Sequence, residues 1–74
     1  MLYIVVEMQS TGESVATLTW SFPTIEQAMA KYYSLLAVAA NSSVPIHSAV
    51  IMTDRGEMVR SEHFYHGGVA PLEE

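Results

Sequence analysis

The hydrophobic and polar positions of this chain follow two different periods, and the change between them predicts where its elements begin. Alternation with a period of two runs through residues 2–22 and again through residues 46–65. Between these segments, apolar side chains recur at helical spacing in one stripe, whose members are Ile25, Ala28, Met29, Tyr32, Leu36 and Ala39. The pattern therefore predicts two strands, one helix and two further strands.

The predicted helix has recognisable start and stop signals. Thr24 is a suitable N-cap, and Gln27 three residues later completes a capping-box pattern. Asn41 is a residue type that can adopt the left-handed conformation at a helix end, and Pro45 prevents the helix from continuing. We therefore expect the helix to run to Ala40.

The strands are predicted at residues 2–9, 15–22, 46–53 and 57–65. A turn containing Gly12 joins the first two, and a tight turn with a left-handed Gly56 joins the last two. A right-handed crossover through the helix places strand one between strands two and three. The sequence thus predicts one α+β domain over residues 1–66, a four-stranded antiparallel sheet in the order 2-1-3-4 with one helix on one face. Residues 67–74 are predicted to form a flexible acidic tail.

Alternation also assigns side chains to the two faces of the predicted sheet. The side toward the helix is predicted to hold Leu2, Ile4, Val6, Met8, Ala16, Leu18, Trp20 and Phe22. The opposite side, here called the helix-free face, is predicted to hold Tyr3, Val5, Val15, Thr17, Thr19, Ala49, Ile51, Val59 and Tyr65. One helix covers one face only. The helix-free face is therefore either a solvated surface rich in strand-forming residues or a surface buried by another copy or a partner.

The last hairpin is predicted to bring two histidines together. If Thr53 and Glu57 flank the turn as a pair, His47 lies opposite His63 on the helix-free face. A metal site would need a third ligand, and none has a suitable spacing. The remaining interpretations are a pH-sensitive contact, a ligand or partner contact, and two half-exposed histidines bonded to water. The same register places Arg60 and Glu62 on the helix side of an edge strand.

Composition narrows the function classes. The chain has 74 residues, a formal net charge of −5 and only three Lys and Arg residues, so direct binding of nucleic acid is not expected. No apolar run is long enough to span a membrane. The absence of cysteine fits the cytoplasm. Half of the residues are hydrophobic and 15% are charged, which favours self-association of so small a domain.

The sequence contains no recognisable catalytic chemistry. It has no glycine-rich phosphate loop, no nucleophile elbow and no His-Glu-x-x-His motif, and the predicted register aligns no Ser–His–carboxylate relay. We therefore expect no enzyme activity and no cofactor. The candidate residues for binding a partner or ligand are Tyr3, Lys31, Tyr33, His47, Arg60, His63 and Tyr65.

Part of the chain resembles a known group of proteins. The segment 31–50, KYYSLLAVAANSSVPIHSAV, resembles small uncharacterised proteins encoded in prophages of gut Firmicutes, as do Gly56, the run SEHF at 61–64 and the tail with its Pro and Glu residues. The N-terminal hairpin matches that group only in pattern. The resemblance implies a phage-related origin in a bacterial host and transfers no site residue.

Three functions are compatible with these observations. The first is a small phage-type accessory protein that acts by binding as a homo-oligomer and whose partner is a host protein, for example a defence protein that it inhibits. The second is an oligomer that sequesters a small nucleotide-like signal, a small-molecule ligand held between subunits. The third is a minor virion or assembly component without a ligand.

Overall fold

Four strands form where apolar and polar residues alternate, and one helix forms where apolar residues recur at helical spacing. The computed structural model describes residues 1–66, so the predicted tail at 67–74 lies outside the described residues. The elements are β1 (Tyr3–Ser10), β2 (Val15–Phe22), α1 (Ile25–Ala40), β3 (Ile46–Thr53) and β4 (Met58–Tyr65). Their bounds differ from the predicted ones by at most one residue.

The strands form one antiparallel sheet in the order β2-β1-β3-β4, and α1 packs against one side of it. The predicted α+β class and strand order are therefore confirmed. β1 and β3 lie in the centre of the sheet, whereas β2 and β4 form its two edges.

The helix begins as its sequence signals predict. The Thr24 hydroxyl accepts a hydrogen bond from the Gln27 backbone N–H at 3.3 Å, which satisfies one of the free donors of the first turn. The predicted stripe faces the sheet, and Leu35, which was not part of that prediction, is buried with it.

The end of the helix differs from the prediction. Asn41 is not left-handed, since its φ is −111°. Its backbone N–H instead donates to the Val38 carbonyl at 3.1 Å, and the Ser42 N–H donates to the Ala39 carbonyl at 3.2 Å. These tight bonds satisfy the last carbonyls without a residue at positive φ.

The core lies between α1 and the two central strands. Val5 of β1 and Ile51 of β3 are opposite each other and are fully buried. Trp20 lies opposite Val5 on β2 and packs against the same core. The buried apolar residues are Val5, Ala28, Tyr32, Leu35, Ala39, Ala49 and Ile51. Three of these are alanines, and most of the larger side chains around them are only partly buried, namely Tyr3, Trp20, Phe22, Ile25, Met29 and Leu36.

The predicted facing of β1 and β3 is wrong, and Glu7 is the reason. Alternation predicted that the side of β1 that carries Glu7 faces away from the helix, which is also the side where a charged residue normally meets water. Glu7 is instead buried, 6% exposed, under the helix. Tyr3, Val5, Ala49 and Ile51 consequently lie on the helix side and not on the helix-free face, whereas Ile4, Val6 and Met8 lie on the helix-free face.

The observed helix-free face is defined by the pairing of the strands. Its members are Ile4, Val6, Met8 and Ser10 of β1, Val15, Thr17, Thr19 and Ser21 of β2, Ile46, Ser48, Val50 and Met52 of β3, and Met58, Ser61, His63 and Tyr65 of β4. The predictions for Val15, Thr17, Thr19 and Tyr65 are thus confirmed.

The predicted pairing of His47 with His63 is also wrong. Next to the turn, Met52 lies opposite Met58, as the predicted register requires. A register shift then makes Val59 an extra residue in β4, which is the geometry of a β-bulge. Beyond it, His47 lies opposite Phe64 and under the helix. His63 lies opposite Ser48, on the helix-free face.

Both hairpin turns use glycine as predicted. Gly12 has a φ of +95° and Gly56 a φ of +86°. In the second turn, the Gly56 N–H donates to the Thr53 carbonyl at 2.9 Å, and the Thr53 N–H donates to the Glu57 carbonyl at 2.8 Å. This is a three-residue hairpin loop closed by a left-handed glycine.

Candidate binding surfaces

A buried carboxylate and a buried imidazole meet under the helix. Glu7 is on β1 and His47 is on β3, two positions away from a direct cross-strand pair, and their side chains are 8% and 3% exposed. His47 Nε2 and Glu7 Oε2 are 2.5 Å apart and form a hydrogen bond. The Gln9 amide also donates to Glu7 Oε2, at 3.2 Å.

This pair lies in the interior of the fold and not at its surface. A carboxylate that orients an imidazole is one half of many catalytic relays. Here both groups are shielded from water, and Nδ1 of His47 is buried without a hydrogen-bond partner among the described residues. Residues 1–66 bring no group of three or more His, Cys, Asp or Glu together in a way that could hold a metal ion. The arrangement therefore bonds a polar pair inside a small core.

Sequence reasoning missed this pair, although a signal was present. The predicted strand order makes β1 and β3 neighbours, and the predicted facing put Glu7 and His47 on the same side of the sheet. If that side had been placed under the helix, the two buried residues would have been expected to form a hydrogen bond with each other, because burial of an unpaired charge is very costly.

Polar groups also surround Tyr32, the largest side chain that the helix buries. Burial raises the pKa of the Tyr32 phenol above its ordinary value of 10.0, the nearby Glu62 carboxylate raises it further, and the Arg60 guanidinium opposes the shift. Arg60 and Glu62 lie opposite Ile51 and Ala49, so the prediction that they occupy the helix side of an edge strand is confirmed.

The structure does not bring the seven predicted binding residues into one site. Tyr3, His47 and Arg60 lie on the helix side of the sheet, whereas His63 and Tyr65 lie on the helix-free face. The two remaining candidates are on α1. The Lys31 ammonium lies 4.1 Å from the centre of the Trp20 ring, and the exposed Tyr33 ring contacts Tyr32 edge to face at 5.4 Å.

The helix-free face has the composition of a contact surface. Its centre is apolar and partly exposed, with Ile4, Val6 and Met8 beside Val50 and Met52. Its margin is polar along most of β2, at Thr17, Thr19 and Ser21, and mixed on β4, with Met58, Ser61, His63 and Tyr65. Among the described residues, this face carries no Asp, Glu, Lys or Arg. An apolar centre with a polar rim is the usual anatomy of a protein–protein interface.

Comparison with protein-family models, with curated proteins and with solved structures finds no match for this chain. Within residues 1–66, the single helix is too short to cross a membrane. The surfaces of the folded chain are therefore the basis for the functional proposal.

Proposed function

We propose that this chain is a small phage-type accessory protein that acts by binding as a homo-oligomer, and that a second copy covers its helix-free face. The observation that carries the proposal is the apolar centre of that face, Ile4, Val6, Met8, Val50 and Met52, which no element of the described chain covers. Contiguous apolar patches of this kind are typical of interaction sites.

The size of the face supports a second copy as its occupant. Four strands spaced about 4.8 Å apart and eight residues long, at about 3.3 Å per residue, cover roughly 500 Å². Two such faces packed together bury roughly 1,000 Å² in total, which is about the lower bound for a specific interface. Two sheets stacked in this way form a sandwich with a helix on each outer side.

Charge supports the same occupant. The chain has a formal net charge of −5, so two copies repel each other wherever their acidic residues meet. The acidic side chains nearest the sheet avoid the helix-free face, because Glu7 is buried under the helix and Glu62 lies on the helix side. Two copies can therefore approach through this face without opposing carboxylates. The binding of a host target, such as a defence protein, would then use the surfaces that self-association leaves open.

The proposal is tested by placing a charge in the centre of the face. Val6→Lys puts an ammonium between Thr19 and Val50, where a second copy would have to bury it. We expect native mass spectrometry and sedimentation velocity to show an oligomer for the wild-type chain and a species of half that mass for Val6→Lys.

Val38→Lys is the matched control. Val38 is also a valine, but it lies on the helix and is 60% exposed. Its substitution should leave the mass unchanged, and circular dichroism should show that both variants are folded. A wild-type chain that stays monomeric at high concentration, or a Val6→Lys variant with the wild-type mass, would contradict the proposal.

A further inference from the structure

The two edges of the sheet differ in how they are protected. β4 carries Arg60 and Glu62 on its helix side and contains the bulge at Val59. Inward-facing charges and bulges are devices by which edge strands avoid pairing with other chains. An extended strand that approached β4 would meet both obstacles.

β2 has none of these protections. Its sequence, VATLTWSF, contains no charged residue and no proline, and its pairing with β1 runs without a shift over all eight residues. The five residues from Val15 to Thr19 are all exposed. A long, regular and uncharged edge presents a row of free backbone N–H and C=O groups, and such a row is a template for another strand.

We propose that β2 pairs antiparallel with β2 of a second copy about a two-fold axis at Leu18, which joins two four-stranded sheets into one of eight strands. The axis is perpendicular to the sheet, so both helices lie on the same side. In this arrangement, two residues that lie opposite each other across the seam point to the same side of the joined sheet. A residue on the axis lies opposite the same residue of the partner copy. With Leu18 on the axis, Ala16 lies opposite Trp20 of the partner copy, a small side chain against a large one.

Exposure and charge favour this register and this occupant. Leu18 is 55% exposed, although it lies on the helix side of the sheet, and a second Leu18 beside it would cover it. Because β2 carries no charge, two copies of an acidic chain can approach along it. The nearest acidic residue, Glu13, precedes β2, and the antiparallel arrangement places the two Glu13 residues at opposite ends of the seam.

This inference rests on the homo-oligomer of the proposed function but uses a different surface. Pairing through β2 leaves the helix-free face open, and stacking through that face leaves β2 open. If both contacts form, and the two perpendicular two-fold axes intersect, they generate a closed tetramer. Each interface can then be removed separately.

Opposite charges at Leu18 provide the test. Leu18→Lys and Leu18→Glu should each halve the mass of the wild-type oligomer, because like charges then face each other across the axis. An equimolar mixture of the two variants should restore the wild-type mass, since Lys then faces Glu. Val38→Lys is again the control and should keep the wild-type mass. Mass is measured by native mass spectrometry and sedimentation velocity.

Cysteine cross-linking tests the register independently. The chain has no cysteine of its own, so the thiol of Leu18→Cys is the only one in each copy that can form a disulfide. Directly opposed residues in an antiparallel pair are close enough for a disulfide. Oxidised Leu18→Cys should therefore run as a covalent dimer on a denaturing gel, whereas Val38→Cys should run as a monomer.

The outcomes separate this inference from the proposed function. If Val6→Lys lowers the mass but Leu18→Lys does not, and Leu18→Cys stays unlinked, the edge pairing is overturned and the stacked dimer stands. If the Leu18 variants lower the mass and Leu18→Cys cross-links, but Val6→Lys has no effect, the edge pairing stands and the stacked face is overturned. A monomeric wild-type chain overturns both.

Discussion

Glu7 and His47 are two polar residues that lose nearly all contact with water in the folded chain. Their 2.5 Å contact and the Gln9 amide offset part of the cost of burying them. Removal of Glu7 leaves the His47 ring buried without a side-chain partner among the described residues, and removal of His47 leaves the buried Glu7 carboxylate with only the Gln9 amide. The two residues should therefore behave as a unit.

The energetic coupling of this pair can be measured in a double-mutant cycle. His47→Leu and Glu7→Met should each lower the free energy of unfolding by about 3 kcal/mol, because each strands its partner. The double variant Glu7→Met/His47→Leu should lose less than the sum of the two, since it leaves no stranded group. Urea denaturation gives the free energies of unfolding.

Glu13→Met, in the exposed first turn, is the control and should change stability little. Additive effects of the two substitutions would show that the pair is not a unit.

Tyr32 provides a prediction about alkaline pH. The buried phenol keeps its proton to higher pH than an unfolded tyrosine, because burial and Glu62 raise its pKa in the folded state. The stability that this contributes is present below about pH 10 and is lost as the pH rises toward the raised value. Tyr32→Phe should therefore lose less stability than the wild-type chain between neutral pH and about pH 11.

The adjacent tyrosine is a matched control for that experiment. Tyr33 is 51% exposed. Tyr33→Phe should keep most of the wild-type loss of stability at alkaline pH, because Tyr33 makes only the smallest contribution to the raised pKa of Tyr32. Urea midpoints at both pH values provide the measurement. An identical alkaline loss in Tyr32→Phe would refute the role assigned to Tyr32.

At the scale of the element, short stretches of sequence determined where the helix and the strands begin and end. Contacts between distant residues determined which side of a strand faces the helix. The start of α1 at Thr24, the two turns with Gly12 and Gly56 and the bounds of β2 and β3 all followed from short stretches of sequence. The facing of β1 did not, because both of its sides are mostly apolar, with Glu7 and Gln9 as the polar residues of one side and Ser10 as that of the other. Which side is buried depends on His47, forty residues away in the chain.

The bulge in β4 explains the other error. No glycine or proline marks Val59, so a regular ladder was the natural expectation for 57–65. One extra residue inverted the facing of β4 relative to β3 and separated His47 from His63. The predicted binding residues therefore did not form one site, whereas a charge-free sheet face emerged that had been predicted with partly different members.

The turn between β3 and β4 gives a prediction at this scale. Gly56 has positive φ, and a Cβ atom added there would meet no atom within 4 Å. Gly56→Ala should thus cost about 1–2 kcal/mol through backbone strain alone. Gly56→Asn should cost less, because asparagine tolerates the left-handed region better. Thermal denaturation of the two variants checks the order, and a larger loss for asparagine than for alanine would disprove this explanation.

At the scale of the whole molecule, the core is small for the number of apolar residues in the chain. Half of all residues are hydrophobic, yet three of the seven hydrophobic residues that are buried within positions 1–66 are alanines. The larger apolar side chains Ile4, Val6, Met8, Val50 and Met52 lie on the helix-free face, outside the core. Folding and association are therefore expected to be linked.

If a second copy covers the helix-free face, as proposed, stability should depend on protein concentration. Raising the concentration about 100-fold should raise the Tm of the wild-type chain by about 5–10 °C, because mass action favours the associated state. The same dilution series with Val6→Lys should show a smaller rise, since one interface is lost. Differential scanning calorimetry provides the measurement, and a wild-type Tm independent of concentration would argue against linked association.

The bulge at Val59 has one more consequence, which concerns how far such assemblies can extend. A strand pairing with its own counterpart closes on itself, whereas pairing of β2 with β4 of the next copy would leave a new β2 free each time and produce a fibre. Arg60, Glu62 and the bulge block that second mode at β4. Substitutions that removed these features would be expected to convert a finite particle into a polymer.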